Sequence, residues 1–256
     1  MKTVAIIQAR MGSTRLPGKV LKLILGRPML WHIVERVRAV PSIAEVVVAV
    51  PDNPGNEVLR RFCVDNQIAL FAGSETDVLD RYYRAAQQFK ADPVIRITAD
   101  CPLADPQLIE RLIQRYTSGS YDHVGIAAGA GAQLLDKRRF PDGLDAECFG
   151  FSALNRAWHE ATDPRDREHV TRYMWNNKEI FHCGMLTADV VYPKLRLTVD
   201  HPEDFELVTK IYEAVYNEGR PFELSDVMNF LKNNPGLVDL NREWTEADNY
   251  RTVQEN

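Results

Sequence analysis

The sequence VAIIQARMGSTRLPGK, at residues 4–19, joins a short apolar run to a basic loop. Residues 4–7 are all apolar, and a run of this length is enough for one buried strand of a sheet. The loop that follows contains glycines, hydroxyl side chains and the cations Arg10, Arg15 and Lys19. Open α/β sheets bind phosphate groups where the first strand enters a loop of this kind. The stretch therefore predicts an α/β fold with a polyanion site, and the alternative is a solvated basic loop without a ligand.

The chemistry of this loop suits a chain of phosphate groups. Glycine tolerates backbone conformations that expose N–H groups to an anion. Arg10, Arg15 and Lys19 add charge-assisted hydrogen-bond donors, which are the strongest partners for phosphate oxygens. We expect these cations to act on a ligand and not on folding, so replacing Arg15 or Lys19 is expected to change stability by less than about 1 kcal/mol.

Size and charge limit the possible functions. The chain has 256 residues, enough for one large α/β domain or two small ones, and 45% are hydrophobic and 26% charged, as in ordinary globular proteins. The formal net charge is −5, which argues against a general nucleic-acid surface. The basic loop is therefore a local feature of an acidic protein.

Two further observations indicate a cytoplasmic protein that does not interact with a membrane. The N-terminus enters a strand at once, and no apolar run is long enough to span a bilayer. The cysteines lack C-x-x-C spacing, so we expect reduced thiols and not disulfides or a zinc site. They are Cys63, Cys101, Cys148 and Cys183.

Strands and helices alternate along the chain and predict an α/β fold with a doubly wound, mostly parallel sheet. The predicted strands are residues 4–7, 46–50, 68–71, 93–97, 146–151, 180–186 and 195–199. The predicted helices are residues 29–40, 57–66, 77–89, 152–161 with Ser152 as N-cap, 165–177, 205–215 and 222–231, and one that begins at Pro106. A segment of about 120–195 breaks the alternation, and we interpret it as an insertion within a single domain of residues 1–256. The tail after Gly236 is polar.

Two aspartates stand at the ends of predicted strands. Asp100 follows residues 93–97, and Asp200 follows residues 195–199. Because ligands in open α/β sheets lie beyond the carboxyl ends of strands, both carboxylates would face the basic loop if these ends are neighbours. Two carboxylates together with phosphate oxygens suit Mg²⁺. Neither aspartate has an adjacent cation, so we expect mutual repulsion until a metal lies between them; each alone could instead be a turn or N-cap residue.

The motif ARMGSTRLPGK at residues 9–19 resembles the signature loop of the CMP-sugar-acid cytidylyltransferases, which include CMP-Kdo synthetase and CMP-sialic acid synthetase. The whole chain looks like the branch named after spore-coat polysaccharide biosynthesis proteins. The similar motifs are GS (73–74), DVLDR (77–81), RITADCP (96–102), PDGLDAE (141–147), REHVT (167–171) and RLTVDHPED (196–204). His201 stands where the resemblance leads us to expect Thr or Asn.

This resemblance implies a Rossmann-like nucleotidyltransferase fold, CTP as donor, Mg²⁺ as cofactor and a hydroxyl that attacks the α-phosphate to release pyrophosphate. It implies that the nucleotide contacts Ala9, Arg10, Gly12, Ser13, Arg15, Lys19, Gly73, Ser74 and Arg81. It implies a catalytic role for Arg15, Lys19, Asp100 and Asp200, with both aspartates as metal ligands. It implies that the segment of about 120–195 lines the acceptor site, with Asp145, Glu147, Glu168 and His169, and forms a homodimer.

We therefore predict a cytidylyltransferase that transfers CMP from CTP to a hydroxyl of a small anionic acceptor, such as a sugar acid, for surface polysaccharide biosynthesis. The exposed-looking aromatics Trp158, Tyr173 and Trp175 favour the dimer. A glycosyltransferase of similar fold is one alternative, but Asp100 is followed by Cys101 and does not begin an Asp-x-Asp motif. The second alternative is a non-catalytic nucleotide-binding protein, and fold alone does not decide between these functions.

Overall fold

The computed structural model describes residues 2–128 and 138–245. Its strands are β1 (Val4–Gln8), β2 (Leu23–Ile24), β3 (Arg27–Pro28), β4 (Glu45–Pro51), β5 (Ala69–Gly73), β6 (Val94–Thr98), β7 (His123–Ile126), β8 (Glu147–Phe149) and β9 (Cys183–Leu186). Its helices are α1 (Met29–Arg38), α2 (Glu57–Asp65), α3 (Val78–Phe89), α4 (Pro106–Ser118), α5 (Phe151–Glu160), α6 (Pro164–His169), α7 (Arg172–Asn176), α8 (Pro202–Val215) and α9 (Leu224–Asn233). The main sheet has the order β5-β4-β1-β6-β8-β7-β9, and β2 and β3 form a separate hairpin.

Strand β1 is enclosed on both faces, which explains its unbroken apolar sequence. It pairs in parallel with β4 and with β6. Ala5 and Ile7 belong to a core with the buried side chains of α1, α4 and α8. Val4 and Ile6 belong to a second core with those of α3 and α5. Because helices cover both faces of a mostly parallel sheet, the predicted doubly wound α/β fold is confirmed.

The segment of about 120–195 contributes β7, β8 and β9 to this same sheet. Strand β8 is antiparallel to β6 and to β7, whereas β9 is parallel to β7. Strand β7 is not predicted from the sequence, because its histidine and glycine interrupt the apolar pattern expected of a buried strand. Residues 129–137 of the segment lie outside the described residues.

The prediction of a sheet strand at residues 195–199 is wrong. Leu195, Leu197 and Val199 are buried, which explains the apolar pattern, but the segment does not join the sheet. It forms an isolated parallel bridge between Arg196 and Asp142 instead. The Val199 N–H donates to the carbonyl oxygen of Asp100 at 2.8 Å, so this segment runs beside the end of β6.

Two helix predictions also need correction. Residues 165–177 do not form one helix, because Val170 has φ +59° and ψ −62° and separates α6 from α7. The Thr171 N–H donates to the His169 carbonyl at 2.6 Å, so residues 169–171 form a γ-turn. The positive φ of Val170 is rare for a β-branched residue. Helix α5 begins at Phe151 with Gly150 as its N-cap, so the predicted cap at Ser152 is two residues too late.

Within the described residues there is neither a helix that could span a membrane nor a disulfide bond. No helix within residues 2–128 or 138–245 combines the length and the apolar character that crossing a bilayer requires. The four cysteines, all of which lie within those ranges, are free thiols, as the sequence analysis predicted.

Gly143 should be essential for the close approach of residues 141–145 to residues 195–199. Its φ is +94°, and a Cβ added there would lie within 2.5 Å of the Leu197 carbonyl carbon and against the Thr198 nitrogen. We expect Gly143→Ala to lower the free energy of unfolding by about 3 kcal/mol or more, because the positive φ and the backbone overlap both disfavour the side chain.

Gly26→Ala is the matched control for this measurement by urea denaturation. Gly26 has φ +77°, but an added Cβ would meet no atom within 4 Å. It should lose about 1–2 kcal/mol from backbone strain alone. Equal losses for the two variants would show that the approach to residues 195–199 is not tight.

Candidate functional site

A cleft opens beyond the carboxyl ends of β1 and β6. Of the residues predicted from the sequence, it brings together Ala9, Arg10, Gly12, Ser13, Arg15, Lys19, Arg81, Asp100, Glu168, His169 and Asp200. Its other lining residues are Gln8, Thr14, Val20, Val78, Arg96, Thr98 and Ala99. Gly73, Ser74, Asp145 and Glu147 were also predicted, but they do not line the cleft.

Lys19 joins the two predicted metal ligands. Its side chain is buried, with the residue only 8% exposed, although it follows a loop. Its Nζ donates to the Val199 carbonyl at 2.6 Å, to Asp200 Oδ1 at 2.8 Å and to Asp100 Oδ2 at 3.4 Å. Asp100 and Asp200 therefore lie on the same side of the sheet, facing one ammonium group. The expectation that the two carboxylates repel each other until a metal lies between them is wrong, because the Lys19 ammonium already lies between them.

Asp200 is surrounded by cations. Besides Lys19, it pairs with Arg15 Nη2 at 3.1 Å and with Arg196 Nη2 at 2.8 Å. Burial alone would raise the pKa of Asp200, but the charges of Lys19, Arg15 and Arg196 outweigh it and lower the pKa. Arg196 was missed as a site residue, because it stands inside an apolar run and its contact with Asp200 depends on the turn before α8.

Asp100 is more open than Asp200. Its side chain is 32% exposed, and its ion pair within the described residues is the 3.4 Å contact with Lys19. The described residues contain no group of three or more His, Cys, Asp or Glu side chains that could hold a metal by themselves. Two carboxylates still fit Mg²⁺, because this ion commonly takes only one or two protein ligands and completes its shell with water and substrate phosphates.

Glu147 lies behind the cleft and orients one of its lining residues. Its carboxylate accepts from Arg96 Nη1 at 2.5 Å and from Thr171 Oγ1 at 2.7 Å, and it pairs with His123 Nε2 at 2.9 Å. Burial alone would raise the pKa of Glu147, but Arg96, His123 and Thr171 lower the pKa to about 2. Glu147 therefore stays ionised and holds Arg96, a cleft residue that the sequence analysis did not single out as a ligand.

Asp145 also stands outside the lining of the cleft. It accepts a hydrogen bond from the Gly143 N–H at 3.0 Å. Burial raises the pKa of Asp145 to about 6, and the negative charges of Asp100 and Glu147 act in the same direction. Asp145 is therefore a carboxyl group that titrates close to neutral pH behind the acidic side of the cleft.

Gly73 and Ser74 are connected to the cleft through Arg81. Arg81 lines the cleft, and its Nη1 donates to the Ser74 carbonyl oxygen. A Cβ on Gly73 would meet the Phe71 ring and lie 3.3 Å from Arg81 Cγ. These two residues therefore leave room for Arg81 and orient it, and they do not form the wall of the cleft.

Glu168 and His169 reach the cleft from the end of α6. The γ-turn at Val170 follows them directly, and the Val170 side chain is fully buried. The sequence motif located these two residues, but it gave no sign of the positive φ that ends their helix.

Comparison with known proteins gives a consistent result. The family model described as Cytidylyltransferase matches residues 4–223. Spore coat polysaccharide biosynthesis protein SpsF of Bacillus subtilis (strain 168) is 31% identical over 237 residues, which cover 90% of this chain and 94% of the relative. The 3-deoxy-manno-octulosonate cytidylyltransferase 2 of Hydrogenovibrio crunogenus is 28% identical over 225 residues, which cover 84% of this chain and 87% of the relative.

A solved structure is also similar over almost the whole chain. It is a cytidylyltransferase from Leptospira borgpetersenii serovar Hardjo-bovis, with a TM-score of 0.84 and 27% sequence identity. The similarity covers 93% of this chain and 97% of that one. The mostly parallel sheet and its flanking helices are therefore the architecture of a known cytidylyltransferase.

Lys19 should contribute to stability, contrary to the expectation from its place next to a loop. Lys19→Met keeps the apolar stem but leaves the Val199 carbonyl and two carboxylates without their shared donor. We expect the free energy of unfolding of the ligand-free protein to fall by about 2 kcal/mol or more. Arg15→Met is the matched control, because the Arg15 side chain is 43% exposed and its pair with Asp200 should contribute less than about 1 kcal/mol. Small and equal losses in urea would contradict the structural role of Lys19.

Asp145→Asn should stabilise the protein at alkaline pH. The pKa of Asp145 is about 6 in the folded protein against an ordinary value of 3.8, so the folded state loses stability as the pH rises through 6. The asparagine variant does not ionise and keeps an acceptor for the Gly143 N–H. Its free energy of unfolding should exceed that of the wild type by about 1–3 kcal/mol at pH 8, and this difference should shrink towards zero as the pH falls below about 4. A difference that does not change with pH would show that this carboxyl has an ordinary pKa.

Proposed function

This chain belongs to the cytidylyltransferase family, and from that premise we propose that it transfers CMP from CTP to a hydroxyl of a sugar acid or related anionic acceptor. The acceptor hydroxyl loses its proton to solvent, its oxygen forms a bond to the α-phosphorus of CTP, the bond from that phosphorus to the bridging oxygen breaks, and pyrophosphate leaves. Two relatives support the choice of substrate, since one is named for spore coat polysaccharide biosynthesis and one for 3-deoxy-manno-octulosonate. The proposed product is accordingly a precursor for surface polysaccharide.

The observation that carries this proposal is the position of Lys19 between Asp100 and Asp200 in a cleft that Arg10 and Arg15 also line. A nucleoside triphosphate is strongly anionic, and cations in a confined cleft bind it through charge-assisted hydrogen bonds. The carboxylates alone would repel such a ligand. The combination of cations and carboxylates suits a triphosphate that arrives with a divalent cation.

In the proposed reaction the cations exchange partners when CTP binds. In the ligand-free protein, Arg15 and Lys19 neutralise Asp200. When the phosphate chain enters, Arg15 and Lys19 turn to its oxygens, and Asp200 keeps its contact with Arg196. The cations thus already lie in the cleft before the ligand arrives, and binding changes their hydrogen-bond partners.

We propose Mg²⁺ as the cofactor, held by Asp100 and Asp200 together with phosphate oxygens of the nucleotide. When bound, it would neutralise negative charge that develops on the phosphates during transfer. The chain's own residues then provide position and charge: the loop cations would hold the phosphates, and the two carboxylates would hold the metal ion. No covalent nucleophile is required for this chemistry.

The acceptor would enter beside Arg96, Glu168 and His169, which also line the cleft. The Arg96 guanidinium supplies positive charge for an anionic acceptor, and Glu147 fixes its orientation from behind. Glu168 and His169 are suitable hydrogen-bonding partners for sugar hydroxyls. In this proposal Asp145 and Glu147 shape the acceptor site through their neighbours, without direct contact.

We also propose that the protein is a homodimer through the segment of about 120–195. Of the three aromatics that motivated this idea, Trp175 is 41% exposed. Trp158 stacks on Tyr83 with ring centroids 4.3 Å apart, and Tyr173 packs against Phe181, so these two belong to the local core. Trp175 is therefore the aromatic that supports the dimer.

The proposal predicts which substrates release pyrophosphate. The protein should be incubated with each of the four ribonucleoside triphosphates, Mg²⁺ and a panel of sugar acids that includes 3-deoxy-manno-octulosonate. We expect release only with CTP, only in the presence of an acceptor, and none after chelation of the metal. Equal release from UTP or ATP, or release of the nucleotide from a nucleotide sugar, would contradict a cytidylyltransferase.

Asp100→Asn tests the proposed site in the same assay. We expect turnover to fall by about two to three orders of magnitude, the scale for loss of one essential electrostatic group. Asp65→Asn is the control, because Asp65 is exposed at the end of α2 and pairs weakly with Arg61 at 3.8 Å. Near-normal turnover of Asp100→Asn would exclude it as a metal ligand.

A further inference from the structure

We propose that the C-terminal residues Asn241 and Trp244 are positioning residues of the nucleotide site, acting on Asp200 and Arg15. This inference rests on the proposed function, because it assigns these residues to the site where CTP would bind. Both lie beyond residue 223, where the match to the family model ends. They also lie in the tail whose polar sequence gave no sign of a contact with the site.

Asn241 enters a buried polar network behind Asp200. It is 2% exposed, and its Nδ2 donates to the Arg196 carbonyl at 2.9 Å and to Asp204 Oδ1 at 2.8 Å. Asp204 is fully buried and also accepts from Arg196 Nε at 3.2 Å. A single amide therefore joins the carboxylate and the arginine that flank Asp200.

The same network fixes the backbone and the side chain of Asp200. Asp204 Oδ2 accepts from the N–H of Asp200 at 3.0 Å and from that of His201 at 2.9 Å. Arg196 Nη2 donates to Asp200 Oδ2 at 2.8 Å. Because Asn241 contacts both Arg196 and Asp204, its loss would loosen both groups that hold Asp200.

Trp244 acts on the site through His201. The two rings stack with centroids 3.6 Å apart and an interplanar angle of 8°. Trp244 Nε1 donates to Glu203 Oε2 at 3.1 Å, which fixes the indole over the start of α8. His201 Nε2 lies 3.5 Å from Arg15 Nη1, so the stacked imidazole forms a wall beside this cation.

These contacts give a physical account of His201, which departs from the residue expected by resemblance. A flat ring at this position provides a stacking surface for Trp244, which a threonine or asparagine would not offer. The ring lies between the C-terminal segment and Arg15, the exposed cation that pairs with Asp200. Trp244 therefore contacts the basic loop indirectly, through His201 and its contact with Arg15.

The test uses the full chain and the variants Asn241→Ala, Trp244→Ala and Trp244→Phe. Calorimetry with CTP and Mg²⁺ should show affinity about tenfold weaker for the two alanine variants, the usual scale for residues that orient a ligand-binding group. Trp244→Phe keeps an aromatic ring on His201 and should lose less affinity than Trp244→Ala. Circular dichroism at the assay temperature should show that every variant is folded.

Asn234→Ala is the matched control for Asn241→Ala. Asn234 lies in the same C-terminal region, and its Nδ2 donates to the Phe230 carbonyl at 2.9 Å, but it does not contact the network around Asp200. It should bind CTP with the affinity of the wild type. If Asn241→Ala and Asn234→Ala bind equally well, Asn241 is structural only and the proposal is wrong.

Tryptophan emission gives a readout that does not depend on turnover. Binding of CTP with Mg²⁺ should change the emission of the wild type, because Trp244 covers the residue next to Asp200 and Arg15. Trp244→Phe should abolish this change while it still binds the nucleotide. A change that persists in Trp244→Phe would show that Trp244 does not report on the site. A wild type that fails to bind CTP would instead contradict the proposed function, so the two failures are distinguishable.

Discussion

The burial of the Lys19 ammonium is the constraint on which the site depends. A buried cation is stable only when hydrogen-bond acceptors and opposite charges replace its water. Three elements supply them: the segment at residues 195–199 through the Val199 carbonyl, the turn after β6 through Asp100, and the start of α8 through Asp200. Because all three must lie within reach of one Nζ, Lys19 fixes how the first loop meets the rest of the sheet.

The charges around Asp200 link the burial of Lys19 to the proposed binding of a nucleotide. Lys19, Arg15 and Arg196 surround one carboxylate, and Asp204 balances Arg196 from inside the protein. Such a network would be an expensive way to stabilise a fold, because each charge must be desolvated. It is well suited to a site that receives a polyanion with a divalent cation, since the same cations and carboxylates then exchange partners with little movement. In the proposed function, the groups that stabilise the protein without a ligand are therefore the same groups that bind the nucleotide.

The sequence predicts strands correctly where both faces of the strand are buried along its whole length. Strand β1 and strand β4 are covered on both faces, so their sequences are unbroken apolar runs that indicate a strand without further information. Residues 195–199 have the same apolar character, but they form only an isolated bridge to the turn at Asp142. Burial against helices gives the same apolar pattern as burial in a sheet, so the sequence does not distinguish the two. Strand β7 was not predicted, because His123 interrupts its apolar sequence. In the structure this buried histidine pairs with Glu147 on β8.

The sequence by itself determined strand β1 with its basic loop and the position of Asp100 just after β6, because each of these is encoded within a few consecutive residues. The alternation of strands and helices along the chain determined the class of fold. The tertiary structure decided which charges meet. Arg196 near Asp200 depends on the turn before α8, Arg96 depends on Glu147 from a strand 51 positions away, and Asn241 reaches Arg196 across 45 positions. No local period or motif records such pairs, since a hydrogen bond between distant residues constrains their positions in space and leaves no spacing in the sequence.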